Sequence, residues 1–161
     1  MVYSPNMRVR GSGLIIHEGA VLLIEYYDEL PGLHYVLPGG SVEAGETILE
    51  TVKREVREEA CLEVEVGQLV IAYEYAPHKD RSLRSIPPAL TLVFACRPTA
   101  GLARLPDCPD PNQTGVRWMP LDELDTVLLL PPVQKQILEY AYNGKQTVEL
   151  VEEWKLHGYD V

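Results

Sequence analysis

The chain predicts an α/β fold in which a mixed β-sheet carries helices on its faces, the layered solution for strands that alternate with helix-period segments. Three observations point there. Apolar strand-like runs stand on both sides of Glu18-Gly19, a helix-period stripe follows the breaker cluster Pro38-Gly39-Gly40, and two longer strand-like runs come after it.

Arg8 to His17 and Ala20 to Tyr27 surround the tight turn Glu18-Gly19 and predict a hairpin, since Leu14, Ile15, Ile16 and Val21, Leu22, Leu23, Ile24 are almost continuously apolar. His34 to Leu37 reads as a short strand that enters the Gly-Gly loop. Gly45-Glu46-Thr47 leads into a helix, with Glu46 or Thr47 near its N-terminal end. Ile48, Leu49, Val52, Val56 and Ala60 recur at helical spacing and form its apolar stripe. Val64 to Ala76 and Ala89 to Arg97 are expected to be strands, separated by a Pro-bounded loop from Pro77 to Pro88. A second loop, Thr99 to Gly115, is rich in Pro, Asp and Gly and precedes a short strand ending at Trp118. Pro131 and Pro132 open a last helix to Tyr142, which Asn143-Gly144 stops. A single domain over residues 1–142 is expected, followed by a tail, 143–161. Val148, Leu150, Val151, Trp154 and Leu156 make that tail apolar enough to dock, at a place the sequence does not specify.

At 161 residues the chain suits one domain with a sizeable core. No stretch is long or apolar enough for a membrane span. Cys61, Cys96 and Cys108 are odd in number and lack paired zinc spacing, so reduced thiols and a cytoplasmic location are expected. A formal net charge of −10 argues against extended nucleic acid as a partner, because such binding neutralises many phosphates. It leaves room for a small phosphate ester at a site where a cation or a basic pocket reverses the local sign. A homodimer is compatible with the sequence and is not specified by it.

Chemistry concentrates in Arg54-Glu55-Val56-Arg57-Glu58-Glu59. On a helix, positions 55, 58 and 59 are i, i+3 and i+4, so three carboxylates crowd one face and repel. A solvated acidic face is the bland explanation. A hard divalent cation, Mg²⁺ or Mn²⁺, is the alternative, because such ions prefer carboxylate oxygens and retain waters that a phosphate can displace.

Gly40-x5-Glu46-x7-Arg54-Glu55-Val56-x-Glu58-Glu59-x-Cys61-Leu62 resembles the Nudix box, a Gly, a Glu, then Arg-Glu-aliphatic-x-Glu-Glu-x-Gly-aliphatic. Eight of its nine specified positions match, and the departure is Cys61 where the family has Gly. Trp118 to Leu124 also looks like a common Nudix ending. The resemblance implies an α/β/α sandwich with a mixed sheet, and Mg²⁺-dependent hydrolysis of a pyrophosphate bond in a nucleoside diphosphate linked to another moiety. Nucleoside triphosphates and ADP-ribose are the leading substrate groups. It carries metal binding onto Glu55, Glu58, Glu59 and the backbone carbonyl of Gly39. It gives Arg54 the role of orienting the glutamates, with Glu46 as ion-pair partner, although Glu50 to Arg54 is also an i, i+4 pair. Glu55 is the first choice for general base, with Asp107 or Asp110 as alternatives from the loop. A catalytically silent Nudix-like nucleotide-binding module is the rival reading.

Substrate choice has to come from outside the box. His78-Lys79-Asp80-Arg81-Ser82-Leu83-Arg84 concentrates positive charge in an acidic chain, so Arg81 and Arg84 are candidate phosphate contacts. Tyr73 and Tyr75 are candidate stacking surfaces for a base, as are Tyr26 and Tyr27.

Overall fold

The computed structural model describes residues 6–77, 87–144 and 147–156. In chain order it contains β1 (Arg8–Leu14), β2 (Ile16–His17), β3 (Ala20–Tyr27), β4 (Leu33–Val36), β5 (Gly39–Ser41), α1 (Ile48–Ala60), β6 (Leu62–Tyr75), β7 (Ala89–Gly101), β8 (Gln113–Pro120), a 3-10 segment (Leu121–Thr126), α2 (Gln134–Asn143), β9 (Leu150–Glu152) and α3 (Glu153–Leu156).

The expected mixed sheet is present, and a second sheet stands beside it. One sheet has the order β5-β1-β7-β6-β9. Its β1–β5 and β6–β7 pairs are antiparallel, whereas β1–β7 and β6–β9 are parallel. The other centres on β3, with β8 along one edge and β2 and β4 sharing the opposite edge.

The predicted hairpin is corrected by this arrangement. Arg8 to His17 is not one strand: β1 crosses to lie parallel with β7, and only the two residues of β2 pair back onto β3. Continuous apolar character from Leu14 to Ile16 reads as one strand, yet it arises because Leu14 and Ile15 are buried in different clusters as the chain passes between sheets. Two other boundaries move. β7 runs on to Gly101, and β8 begins at Gln113, inside the expected loop.

Strand β3 is covered on both faces, which explains its unbroken apolar run. Val21 and Leu23 belong to the cluster that includes Leu124 and Ile137, from the 3-10 segment and α2. Leu22 and Ile24 belong to the cluster that includes Val52, Val56 and Ala60 of α1. Helices therefore pack on opposite faces of the strands, an α/β/α sandwich. Leu49 departs from the predicted stripe and is 42% exposed, whereas Thr51 is buried in its place.

Gly144 adopts a left-handed conformation, φ 58°, and caps α2 as expected from Asn143-Gly144. The tail docks through β9 on the free edge of β6, pairing Ala72 with Leu150, Tyr73 with Val151 and Glu74 with Glu152. No helix among the described residues is long and apolar enough to cross a membrane.

Candidate active site

Helix α1 is fixed at both ends. Thr47 is its N-cap, and a capping box joins Thr47 and Glu50: the Glu50 amide donates to Thr47 Oγ1, and the Thr47 amide donates to the Glu50 carboxylate at 2.8 Å. Glu50 is thereby spent on the cap, which settles the choice of partner for Arg54. The Arg54 guanidinium reaches back to Glu46 instead, Nε to Oε1 at 2.6 Å and Nη2 to Oε2 at 3.1 Å. Hydrogen bonds from Arg54 hold the Glu46 carboxyl down to about 2.

Arg54 also spans the acidic helix face. Its Nη1 donates to Glu55 at 2.8 Å and to Glu58 at 3.2 Å, while Nη2 donates to the Ser41 carbonyl at 3.2 Å. One arginine thus ties the loop before α1, strand β5 and two box glutamates together. With its fork fully committed, it orients the carboxylates.

The three predicted glutamates differ sharply in environment. Glu58 is exposed, with 59% of its side chain open to solvent. Glu55 is largely covered and rests against Gly40: a Cβ at that glycine would lie 2.0 Å from Glu55 Oε1, so only glycine leaves room for the carboxylate. Glu59 is 4% exposed. It accepts hydrogen bonds from the Gly39 amide at 2.8 Å and the Tyr26 hydroxyl at 3.1 Å.

Burial pushes the Glu59 carboxyl up to about 8, and the nearby Glu55 and Asp110 carboxylates push it the same way, against the Gly39 and Tyr26 hydrogen bonds. Glu55 is also raised, first by burial and then by Glu58 and Asp110, against the pull of Arg54. Asp110 is thus the loop acid that joins the site: the Tyr26 hydroxyl approaches its carboxylate at 3.4 Å as well as that of Glu59. Asp107 points elsewhere and pairs with Arg104 at 3.2 Å.

Among the described residues, no three Asp, Glu, His or Cys side chains stand close enough to enclose an ion. Mg²⁺ does not need such a cage, since it binds through one or two carboxylates and keeps several waters. A buried Glu59 whose ionisation is opposed by burial and by the nearby Glu55 and Asp110 is the feature that fits a cation, which would favour the charged form.

A cavity of about 340 Å³ opens beside Glu59 and Gly39, lined also by Arg10, Tyr26, His34 and Ser12. A second, of about 420 Å³, adjoins it and is lined by Arg8, Arg10, Tyr73, Tyr75, Leu130 and Pro131 among others. The predicted tyrosines Tyr73 and Tyr75 thus line a cavity next to the carboxylates. Arg81 and Arg84 lie outside the described residues. Tyr26, read as a stacking candidate, serves the site differently: it hydrogen-bonds Glu59 and stacks on His34, ring centroids 5.9 Å apart. Tyr27 is exposed. Arg10 was not legible as a site residue, because a lone arginine in an alternating strand carries no motif; its in-register neighbours reveal it.

Cys61, the one box position at which the chain departs from the family's Gly, ends α1. Cys61 is left-handed, φ 59° and ψ 27°, and its amide donates to the Arg57 carbonyl at 3.0 Å. Glycine adopts that conformation at little cost, whereas a side-chain-bearing residue is strained there.

The NUDIX domain family matches residues 7–141. The chain belongs to the Nudix family. Human 8-oxo-dGDP phosphatase NUDT18 is 38% identical over 109 residues, 67% of this chain but 30% of that protein, so the Nudix chain corresponds to under a third of its length. A MutT-like protein of Streptomyces ambofaciens is 33% identical over 121 residues, 74% of this chain and 68% of that one. A NUDIX hydrolase structure from Nitrosomonas europaea superposes with TM-score 0.71 at 22% identity, covering 87% of this chain and 91% of that chain. An ADP-ribose pyrophosphatase from Streptococcus suis superposes with TM-score 0.64 at 21% identity, covering 91% and 99%. These two structures share the fold.

Proposed function

We propose that this Nudix domain hydrolyses the pyrophosphate bond of a small nucleoside diphosphate derivative with Mg²⁺ or Mn²⁺ as cofactor. A guanine-type nucleoside diphosphate leads, because 8-oxo-dGDP is the compound named for the 38% identical human relative. Nucleoside triphosphates and ADP-ribose are the other groups. For a diphosphate, water adds to the terminal phosphorus as its bond to the bridging oxygen breaks, giving a nucleoside monophosphate and orthophosphate.

The observation that carries this reading is the buried Glu59, which lines a cavity together with Arg10 and has Glu55 and Asp110 as acidic neighbours. When bound, a divalent cation supplies charge neutralisation at phosphate oxygens and a water of lowered pKa. Glu55, Glu58, Glu59 and the Gly39 carbonyl are the groups from which one or two carboxylates would hold it, with waters in its remaining positions. Arg54 keeps Glu55 and Glu58 in place, and the Gly39 amide and Tyr26 hydroxyl keep Glu59 in place. Glu55 is the preferred proton acceptor from water, with Asp110 as the loop alternative.

Purified protein assayed against GDP, 8-oxo-dGDP, nucleoside triphosphates and ADP-ribose, each with Mg²⁺, Mn²⁺ or EDTA, tests the proposal. Monophosphate release from a diphosphate, abolished by EDTA, is expected. Binding of these ligands without turnover would instead support the silent module.

A further inference from the structure

Arg10 belongs to both cavities, and Thr91, Leu130 and Pro131 are shared with it, so the two lie side by side. The sheet register shows how their floor is built. Arg10 pairs with Thr91, which pairs with Tyr73; Arg8 pairs with Ala89, which pairs with Tyr75. Because side chains alternate along a strand, Arg8 and Arg10 share one face of β1, and Tyr73 and Tyr75 share one face of β6. Strand β1 stands between β5, which carries Gly39, and β7. Two strand spacings, about 10 Å in all, separate the backbone at Arg10 from that at Tyr73. A nucleoside 5′-phosphate spans a comparable length from phosphate to base.

The charge at this point is unusual for the protein. Arg10 is half-buried, and among the described residues no acceptor hydrogen-bonds its guanidinium and no carboxylate forms an ion pair with it. Burial, and then the neighbouring Arg8, lower its pKa, while Glu55 and Glu59 act in the opposite direction, so it lies within electrostatic reach of the carboxylate cluster. Arg54 cannot serve a phosphate in the same way, since Glu46, Glu55, Glu58 and the Ser41 carbonyl occupy its fork. Arg10 offers five N–H donors in a geometry that matches two phosphate oxygens.

We propose that Arg10 is a substrate-binding residue that holds the phosphate remaining on the nucleoside, with the attached ring in the second cavity against the partly buried Tyr75, where the buried Tyr73 forms part of the wall. This inference rests on the reading of the site as one for nucleoside diphosphates. It gives a chain of net charge −10 its local anion anchor. It also assigns the two cavities different parts of one ligand: the first takes the scissile phosphates and the second the nucleoside.

Titration calorimetry in EDTA separates this inference from the hydrolase reading, using GMP and guanosine as probes for the wild type, Arg10→Met and Arg10→Lys, with a melting curve for each. The wild type is expected to bind GMP about tenfold or more tightly than guanosine, as a charge-assisted bidentate contact implies. Arg10→Met should lose that difference while keeping its affinity for guanosine, and Arg10→Lys should restore part of it. In Mg²⁺, the Met variant should raise KM for GDP more than it lowers kcat. An inactive wild type that still shows the Arg10-dependent phosphate gain would remove the hydrolase reading and support Arg10 as an anion site. A folded Arg10→Met protein that binds GMP as the wild type does, or a wild type that binds GMP no better than guanosine, would overturn the inference.

Discussion

Glu59 concentrates the tension of the site in one side chain, because it is buried, hydrogen-bonded by Gly39 and Tyr26, and crowded by Glu55 and Asp110. Its folded carboxyl, up at about 8, still holds a proton at pH values where the unfolded chain, near the ordinary value of 4.5, has released it. Without metal, stability therefore falls as pH rises from about 4.5 to about 8 and levels off above that. Glu59→Gln keeps the shape and removes the penalty. In EDTA its Tm should match the wild type near pH 4 and exceed it increasingly toward pH 8, where the stability difference is on the order of a few kcal/mol. In Mg²⁺ the same variant should lose turnover by orders of magnitude, and Glu58→Gln should also lose it. A wild-type Tm advantage at pH 8 in EDTA would contradict the buried-charge account. Cys61 makes a second residue-scale prediction. Its left-handed φ of 59° costs a side-chain-bearing residue about 1–2 kcal/mol, which glycine avoids. Cys61→Gly should raise stability by about 1 kcal/mol after glycine's unfolded-state entropy is counted, roughly 2–4 °C in Tm, with metal-dependent activity intact. A lower Tm would mean that packing of the half-buried thiol outweighs the strain.

Between elements, the contact that matters most is β5 against α1. Gly40 exists there because the Glu55 carboxylate occupies the space a Cβ would need. Gly40→Ala should therefore displace Glu55 and depress kcat by far more than its loss of Tm implies, and Tm and kcat measured on one preparation will show whether the two are decoupled. The helix was the most legible element in the sequence, because a capped start, an apolar stripe and a box of fixed spacing all agree there. Its solvent and core faces were less so: Glu59 is buried at a position that reads as part of an acidic surface, and Leu49 is exposed at one that reads as core. Periodicity assigns a direction to a side chain, but which element lies in that direction is a tertiary fact. The split of Arg8 to His17 between two sheets was hidden for the same reason, since an apolar run covered on both faces carries no period. Asp110 was one of two equivalent loop acids until Tyr26 placed it beside Glu59 and Arg104 drew Asp107 away.

Across the whole molecule, buried and paired carboxylates set opposite pH dependences. Glu25 is buried, which opposes its ionisation, but hydrogen bonds from Arg117, Thr114 and Tyr35 outweigh that and hold its carboxyl below the ordinary range. Glu46 is held low by Arg54. Both contribute stability that is present above the unfolded carboxyl range and is lost as pH falls through their folded values. Glu25→Gln should therefore be destabilising at pH 7 and lose that effect as pH falls through the lowered folded value of Glu25, as urea midpoints at neutral and strongly acidic pH will show. Glu59 works the other way, so metal-free protein should be most stable at mildly acidic pH. The central claim is that the box glutamates Glu55, Glu58 and Glu59 serve a divalent cation in pyrophosphate hydrolysis. Its most direct test is the rate of GMP release from GDP as Mg²⁺ is titrated into the metal-free wild type and Glu59→Gln. The account predicts saturable activity in the wild type, none in EDTA, and a loss of orders of magnitude in Glu59→Gln; turnover undiminished in EDTA, or equal in the two proteins, would contradict it.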